Sequence, residues 1–348
     1  MSQRSTAMRP IDLENGHIDL SHGAGGRAMQ QLIAELFAAA FANEYLAQGN
    51  DGAVLPPPNG RLVLATDAHV VSPLFFPGGD IGCLSVHGTI NDLAVMGAKP
   101  LWLAASFILE EGLPLADLQR IVESMATAAR EAGVKVVTGD TKVVERGKGD
   151  GVFITTTGVG AVADGVSLSG DLARPGDAIL LSGTLGDHGV AIMAQRDNLS
   201  FEVPILSDTA ALHGLVEIML ATGAELHVLR DPTRGGLAAT LNEIAGQSGV
   251  GMLLDEAKIP VHPAVAAACE FLGLDPLYVA NEGKLLAICA EKDAVRLLEA
   301  MRAHPLGRNA QRIGTVEQDA HGFVRMKTRL GGHRVVDTLV GEALPRIC

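Results

Sequence analysis

From Arg27 to Phe41 the apolar residues Met29, Leu32, Ile33, Leu36 and Phe37 recur at steps of three and four, which predicts one face of an amphipathic helix. It starts directly after the run SHGAGG (21–26). A Pro-rich break at 55–60 is followed by strand-like RLVLATD (61–67), a helix-like stretch from about Ile81 to Met96 and a strand around LWLAASFIL (101–109). Beyond Pro114, Leu115, Leu118, Ile121, Val122 and Met125 mark one side of a further helix, which Gly133 ends. The strands VKVVTGD (134–140) and VFITTTGVGAV (152–162) close this half.

Turn residues at 174–177 (RPGD) precede a new apolar strand, DAILLSG, and the alternation begins again. Helices are expected over Asp208–Ala221, Leu237–Ala245, Pro263–Leu272 and Asp293–Arg302, with strands near GMLLDE (251–256), KLLAICA (284–290) and FVRMKT (323–328). The pattern predicts two α/β or α+β domains of similar size, divided between 165 and 175. The expected layout is an N-terminal segment 1–42, a first domain 43–168, a second domain 169–335 and a tail 336–348. The stretch GEALPRIC (341–348) has a Gly, a Pro and no helical stripe, and reads as mobile.

Composition narrows the function. With 348 residues, 47% of them apolar, the chain can fill the cores of about two domains. A net charge of -13 and only 3% aromatic residues argue against nucleic acid and against an anionic bilayer as partners. No signal-like segment opens the chain and no apolar run approaches membrane-spanning length, so the cytoplasm is expected. Cys83, Cys269, Cys289 and Cys348 lie far apart, with neither a disulfide framework nor zinc spacing.

Several short motifs carry candidate chemistry. SHGAGG places Gly23, Gly25 and Gly26 before a helix, as a phosphate requires, although a plain turn fits as well; Arg27 flanks it. No GxxxxGK[ST] run is present, and GVGAVA (158–163) matches a dinucleotide pattern only as a decoy, because turn residues follow it. Asp67, Asp92 and Asp140 stand at strand ends or in short polar stretches beside Thr66, Asn91 and Lys142, and RDPTRGG (230–236) adds Asp231 and Arg234. Together they suggest Mg²⁺, which an acidic protein needs in order to hold ATP. Glu282, in NEGK, suits a base or an ordinary solvated loop, and the residues alone favour the loop. Cys348 ends the tail; the seven residues after Gly341 span roughly 23 Å when extended, enough to carry a thiol between a pocket and a partner.

Taken together, SHGAGG, the stretch 90–100 from IND to GAKP, TGDTKVV, RDPTRGG, NEG and the final PRIC resemble the hydrogenase expression/formation family HypE, and the match runs across nearly the whole chain. That family is related to aminoimidazole-ribonucleotide synthetase, thiamine-monophosphate kinase and selenophosphate synthetase. The resemblance implies an α/β (α+β) two-domain fold, with the first sheet pairing across a homodimer into a barrel and ATP in a cleft between domains. It implies ATP-dependent conversion of a carbamoyl group on Cys348 into a thiocyanate, the source of cyanide for [NiFe]-hydrogenase. HypF would charge the cysteine and the HypC–HypD complex would receive its product. Carried over, Cys348, Lys142 and Glu282 are catalytic, and Gly23, Gly25, Gly26, Arg27, Asn91, Asp140, Thr141 and Arg234 bind nucleotide. Asp67, Asp92, Asp140 and Asp231 would ligate Mg²⁺. The alternatives are a phosphotransferase acting on a free small molecule, or a non-catalytic carrier gated by nucleotide. Residues before Ile18 carry no motif.

Overall fold

The computed structural model describes residues 10–199, 201–339 and 346–348. The first helix runs as α1 (Arg27–Leu32), a π turn (Ile33–Phe37) and α2 (Ala38–Ala40). The π turn lets Leu32, Leu36 and Phe37 all face the core, where the Phe37 ring lies 4.9 Å from that of Phe107.

The first sheet consists of β1 (Arg61–His69), β4 (Ala98–Glu110), β5 (Lys135–Val144) and β6 (Val152–Val162), with a small hairpin of β2 (Phe75–Phe76) and β3 (Gly79–Asp80) beside it. Its order is β1-β6-β4-β5, so β1 and β5 are its two edges. GVGAVA falls within and just beyond β6, as the decoy reading required.

Helices α3 (Ile81–Val95) and α4 (Leu115–Glu131) cover one face. Helix α4 is one-sided as its sequence predicts, whereas α3 is buried nearly all round and has no single stripe. Small residues make that burial possible: a Cβ at Gly82 would run into the Ile121 carbonyl, and one at Gly88 would meet His69 and Asp67. The opposite face of the sheet is open, and Leu62 and Leu64 of β1 are 64% and 71% exposed.

The second sheet has the order β13-β12-β9-β11-β7-β10-β8. Its strands are β7 (Ala178–Leu181), β8 (Leu226–Arg230), β9 (Gly251–Asp255), β10 (Leu286–Cys289), β11 (Gln311–Glu317), β12 (Val324–Lys327) and β13 (His333–Val335). Helices α5 (Asp187–Arg196), α6 (His213–Ala221), α7 (Gly236–Ser248), α8 (Pro263–Leu272) and α9 (Ala294–Ala303) surround it. Alternate residues of β7 and β10 feed two cores: Ile179, Leu181, Leu286 and Ile288 join α7, while Ala178, Leu180, Ala287 and Cys289 join α6 and α9. Burial on both faces explains their unbroken apolar runs. Ala94 and Val95 of α3 belong to the second of these cores, so the two sheets' layers share apolar packing.

Some expectations change. The helix expected from Asp208 begins at His213, because the Leu212 N–H is drawn to the Asn91 side chain at 2.8 Å. Helix α5 has no stripe to find, since His188 to Ile192 are all buried, and β11 is interrupted by a register shift near Gly314. The tail reading is corrected at both ends. Val336 is buried and hydrogen-bonded to Val324, and residues 346–348 are docked rather than free. The rest of GEALPRIC, 341–345, lies outside the described residues.

Gly82→Ala is expected to lower unfolding stability by about 1–3 kcal/mol through this collision. Gly246→Ala, on the exposed side of α7 with open space around it, should raise stability by about 0.5–1 kcal/mol. Thermal or urea unfolding of the two variants reads both signs.

Candidate active site

The turn 281–284 is braced into the interior and is not a solvated loop. The Asn281 side chain accepts from the Gly186 N–H at 2.8 Å and donates to the carbonyls of Pro232 and Val279 at 2.9 and 3.0 Å. Asp208, its side chain 4% exposed, accepts from the N–H groups of Glu282 and Gly283 at 3.1 and 3.2 Å and from Lys284 Nζ at 2.9 Å. Burial alone would raise its pKa, yet Lys284, His188 and the backbone donor hold it below the ordinary carboxylate range.

Asn91 donates to the Glu282 carbonyl at 3.2 Å and to that of Ala210 at 3.1 Å, and accepts from Leu212. Both donors of its amide are therefore used inside the protein, where Asn91 braces the turn.

With its backbone fixed this way, the Glu282 side chain is 3% exposed and its Oε1 has no hydrogen-bond partner. Burial, then the charges of Asp208, Asp231 and Asp67, push its pKa well above the usual value, so the carboxyl holds its proton more tightly than an ordinary glutamate. Its side-chain neighbour is the thiol of Cys348, brought in by the docked tail. Burial first, then Glu282 and Asp67, push that thiol above its ordinary range against the opposing charge of Arg234. The docked sulfur is a protonated thiol.

Asp67, on β1, contacts His69 Nε2 at 3.3 Å, a charge contact without hydrogen-bond alignment, and accepts from Ala68 N at 2.8 Å. Burial raises its pKa, but His69, the Ala68 N–H and Arg234 together bring it below the ordinary value. Asp92, on α3, is pushed up to about 7 by burial and then by Asp231 and Asp67, with Arg230 opposing. Asp231, just after β8, is pushed up to about 6 by burial, with Asp67 adding to it. A cavity of about 420 Å³ opens beside them, lined among others by Thr66, Asp92, Ser169, Arg230, Asp231 and Gln247.

Mutual repulsion among three hard-oxygen carboxylates is what a divalent cation relieves, and in that respect Asp67, Asp92 and Asp231 fit Mg²⁺. Among the described residues no three such ligands already stand at metal-binding spacing, so phosphate or water oxygens have to complete any site.

The remaining expected residues form a second group. Asp140 is paired with Lys142 at 2.6 Å and accepts from Thr141 N at 2.8 Å on the edge strand β5, with Asp140 and Lys142 exposed and Thr141 buried. Gly23 lies against Val143 of the same strand, which puts the glycine run there too. Gly25 takes a left-handed φ of +73°, Gly25 and Gly26 have open space around them, and Arg27 is exposed.

Asp67 pairs with Thr156, Thr156 with Ala105 and Ala105 with Gly139, so three strand spacings, roughly 14 Å, separate Asp67 from this group. Asp140 therefore does not join Asp67, Asp92 and Asp231 as a metal ligand within one chain. Asp208, His69 and His188 were not anticipated; Asp208 reads in the sequence only as a helix start.

Asp92 and Asp231 hold their protons more tightly when folded than when unfolded. They therefore favour the folded state below the ordinary carboxylate range, and that gain is lost as pH rises through about 6 to 7. Asp92→Asn is expected to raise the melting temperature of the ligand-free protein at pH 8 by several degrees and to remove the increment that Mg²⁺ with ATP gives the parent. Differential scanning fluorimetry at pH 5 and pH 8 tests both.

Family models for "AIR synthase related protein", N-terminal and C-terminal domain, match residues 49–162 and 174–327. The carbamoyl dehydratase HypE of Cupriavidus necator is 71% identical over 98% of this chain and 97% of its own length. A crystal structure of hydrogenase maturation protein HypE in complex with ATP superposes with a TM-score of 0.91 at 52% identity, covering 94% of this chain and 99% of that one. A structure of a HypE–HypF complex matches with a TM-score of 0.78 at 50% identity, covering 88% and 99%.

Proposed function

The chain belongs to the HypE family of carbamoyl dehydratases, and from that premise we propose how its own residues remove water from an S-carbamoyl group on Cys348 in the maturation of [NiFe]-hydrogenase. It is an ATP-using enzyme and HypF is its partner. One observation carries the reading at the level of residues: the Cys348 thiol meets the buried Glu282 carboxyl beside three acidic groups.

Dehydrating a carboxamide requires its oxygen to become a leaving group and both N–H protons to depart. The carbamoyl oxygen takes the γ-phosphoryl group of ATP, releasing ADP; then the C–O bond breaks, phosphate leaves and S–C≡N remains. Asp67, Asp92 and Asp231 would hold Mg²⁺, which would supply positive charge that offsets these carboxylates and the charge of the triphosphate. Glu282 accepts one N–H proton in this scheme, and the phosphate carries off the other as it leaves. Its raised proton affinity suits that role, since a base with an affinity above the ordinary glutamate range accepts a proton more readily.

Lys142, Asp140, Thr141 and the loop 23–26 enter through a second copy of the chain. The first sheet leaves one face open with Leu62 and Leu64 exposed, and among the described residues its edges β1 and β5 take no further strand, which suits closure into a barrel across a homodimer. The partner's β5 edge would then stand beside Asp67, where Lys142 stabilises developing charge and the glycine run and Arg27 hold phosphates. HypF loads Cys348 in the undocked state and the HypC–HypD complex accepts the product. The cysteines are all free, as suits a cytoplasmic protein. A kinase acting on a free small molecule would leave the docked thiol without a role.

Mass spectrometry of the C-terminal peptide, after incubation with HypF, carbamoyl phosphate and ATP, is expected to show a carbamoyl adduct on Cys348 that then loses water. Glu282→Gln should stop at the adduct, slowing dehydration by about 10²–10⁴-fold; a normal rate in this variant overturns its role. The parent's single-turnover rate should rise with pH through a midpoint above the ordinary glutamate range. Mixed dimers of Lys142→Ala and Glu282→Gln copies should regain activity that neither homodimer has, because one of their two sites keeps both residues. Activity absent from the mixture removes the shared site.

A further inference from the structure

Every main-chain carbonyl of the docked segment 346–348 has a partner. The Arg346 carbonyl accepts from Ser72 N at 3.2 Å and from Arg196 Nη2 at 2.8 Å. That of Ile347 lies 2.9 Å from His188 Nε2, and that of Cys348 accepts from Val70 N at 3.2 Å. Arg196 also donates through Nε to the Ser72 carbonyl at 3.0 Å, so one guanidinium joins the tail to the strand-like segment it lies along.

His188 is buried completely, with Nδ1 2.7 Å from Ser207 Oγ. A carbonyl can only accept, so Nε2 carries the ring proton and Nδ1 takes the Ser207 hydroxyl proton. Ser207 is followed by Asp208, whose carboxylate holds the backbone of Glu282 and Gly283. The contacts close a ring: tail carbonyl, His188, Ser207, Asp208, Glu282 and back to the sulfur of Cys348.

We propose that Arg196 and His188 are positioning residues that clasp the tail by its main-chain carbonyls, and that through Ser207 and Asp208 the same clasp sets Glu282 in register with the Cys348 sulfur. The proposal rests on Cys348 being the reacting group. Because neither residue touches the sulfur, the grip is the same for a thiol, a carbamoyl thioester or a thiocyanate.

The side chains of the tail play other parts. Ile347 supplies apolar burial, and Arg346 pairs with Asp150 at 2.7 Å on the surface. Arg346 also sits at a φ of +53°, a left-handed conformation that a residue with a Cβ resists. Strain at the entry to the docked segment opposes the clasp and keeps undocking within reach.

The test measures two rates on the full chain. Alkylation of Cys348 by iodoacetamide, read by mass spectrometry of the C-terminal peptide, reports how often the tail is out. Single-turnover dehydration of the carbamoylated protein reports its chemistry. Arg196→Met and His188→Ala are expected to speed alkylation and slow dehydration, each by about tenfold or more, as follows from losing a buried or charge-assisted hydrogen bond. The KM for ATP should stay unchanged.

His188→Gln, which keeps a donor, should recover most of both rates. Arg196 is only half-buried, so its variant serves even if loss of His188 impairs folding. Unchanged alkylation in folded Arg196→Met protein overturns the clasp. Faster alkylation in the variants, with no ATP-dependent loss of water from the carbamoylated parent, leaves the clasp standing and overturns the functional reading instead.

Discussion

A carboxylate largely covered from water at the meeting of two domains needs donors around it, and Asp208, with its side chain 4% exposed, is such a group. Two backbone N–H groups and one ammonium satisfy it, all from the turn that carries Glu282. The turn cannot relax without stranding that charge. For this reason Glu282 can keep a buried carboxyl, its Oε1 without a partner, beside a sulfur, an arrangement that a loop free to move would abandon for solvent.

The acidic groups around it act on one another as a set. Asp67 stays charged because His69 and Arg234 lean on it, and its charge in turn helps to raise Asp92, Asp231 and Glu282. The chain's overall negative charge says little about this local balance. What counts is that the negative groups are gathered at one partly buried place, so that positive charge arriving there changes several proton affinities together.

Much of the layout was legible from residue spacing. The stripe from Leu115 to Met125 and the apolar runs AILL and LAIC announced elements the structure contains, because one-sided or two-sided burial leaves a period in the sequence. Helix α5 and strand β11 left none, since burial on most sides erases the stripe in one and a register shift breaks the alternation in the other. The site was legible as a set of residues and not as an arrangement. Asp67, Asp92, Asp231, Glu282 and Cys348 do gather, but Asp140, Lys142 and the glycine run stand across a sheet whose order no local pattern reveals. Glu282 looked like a surface residue because the group that buries its turn, Asp208, lies more than seventy positions away.

Helix α3 has a mechanical consequence. Its first turns are wedged under α4 with no room for a side chain at Gly82, while its last residues, Ala94 and Val95, are packed among α6 and α9, and Asn91 is tied to 210–212 and 282. A rod anchored in both bodies this way resists their hinging apart. Passage of Cys348 into and out of the chamber, as proposed above, would then require movement of the short docked segment and leave the walls in place.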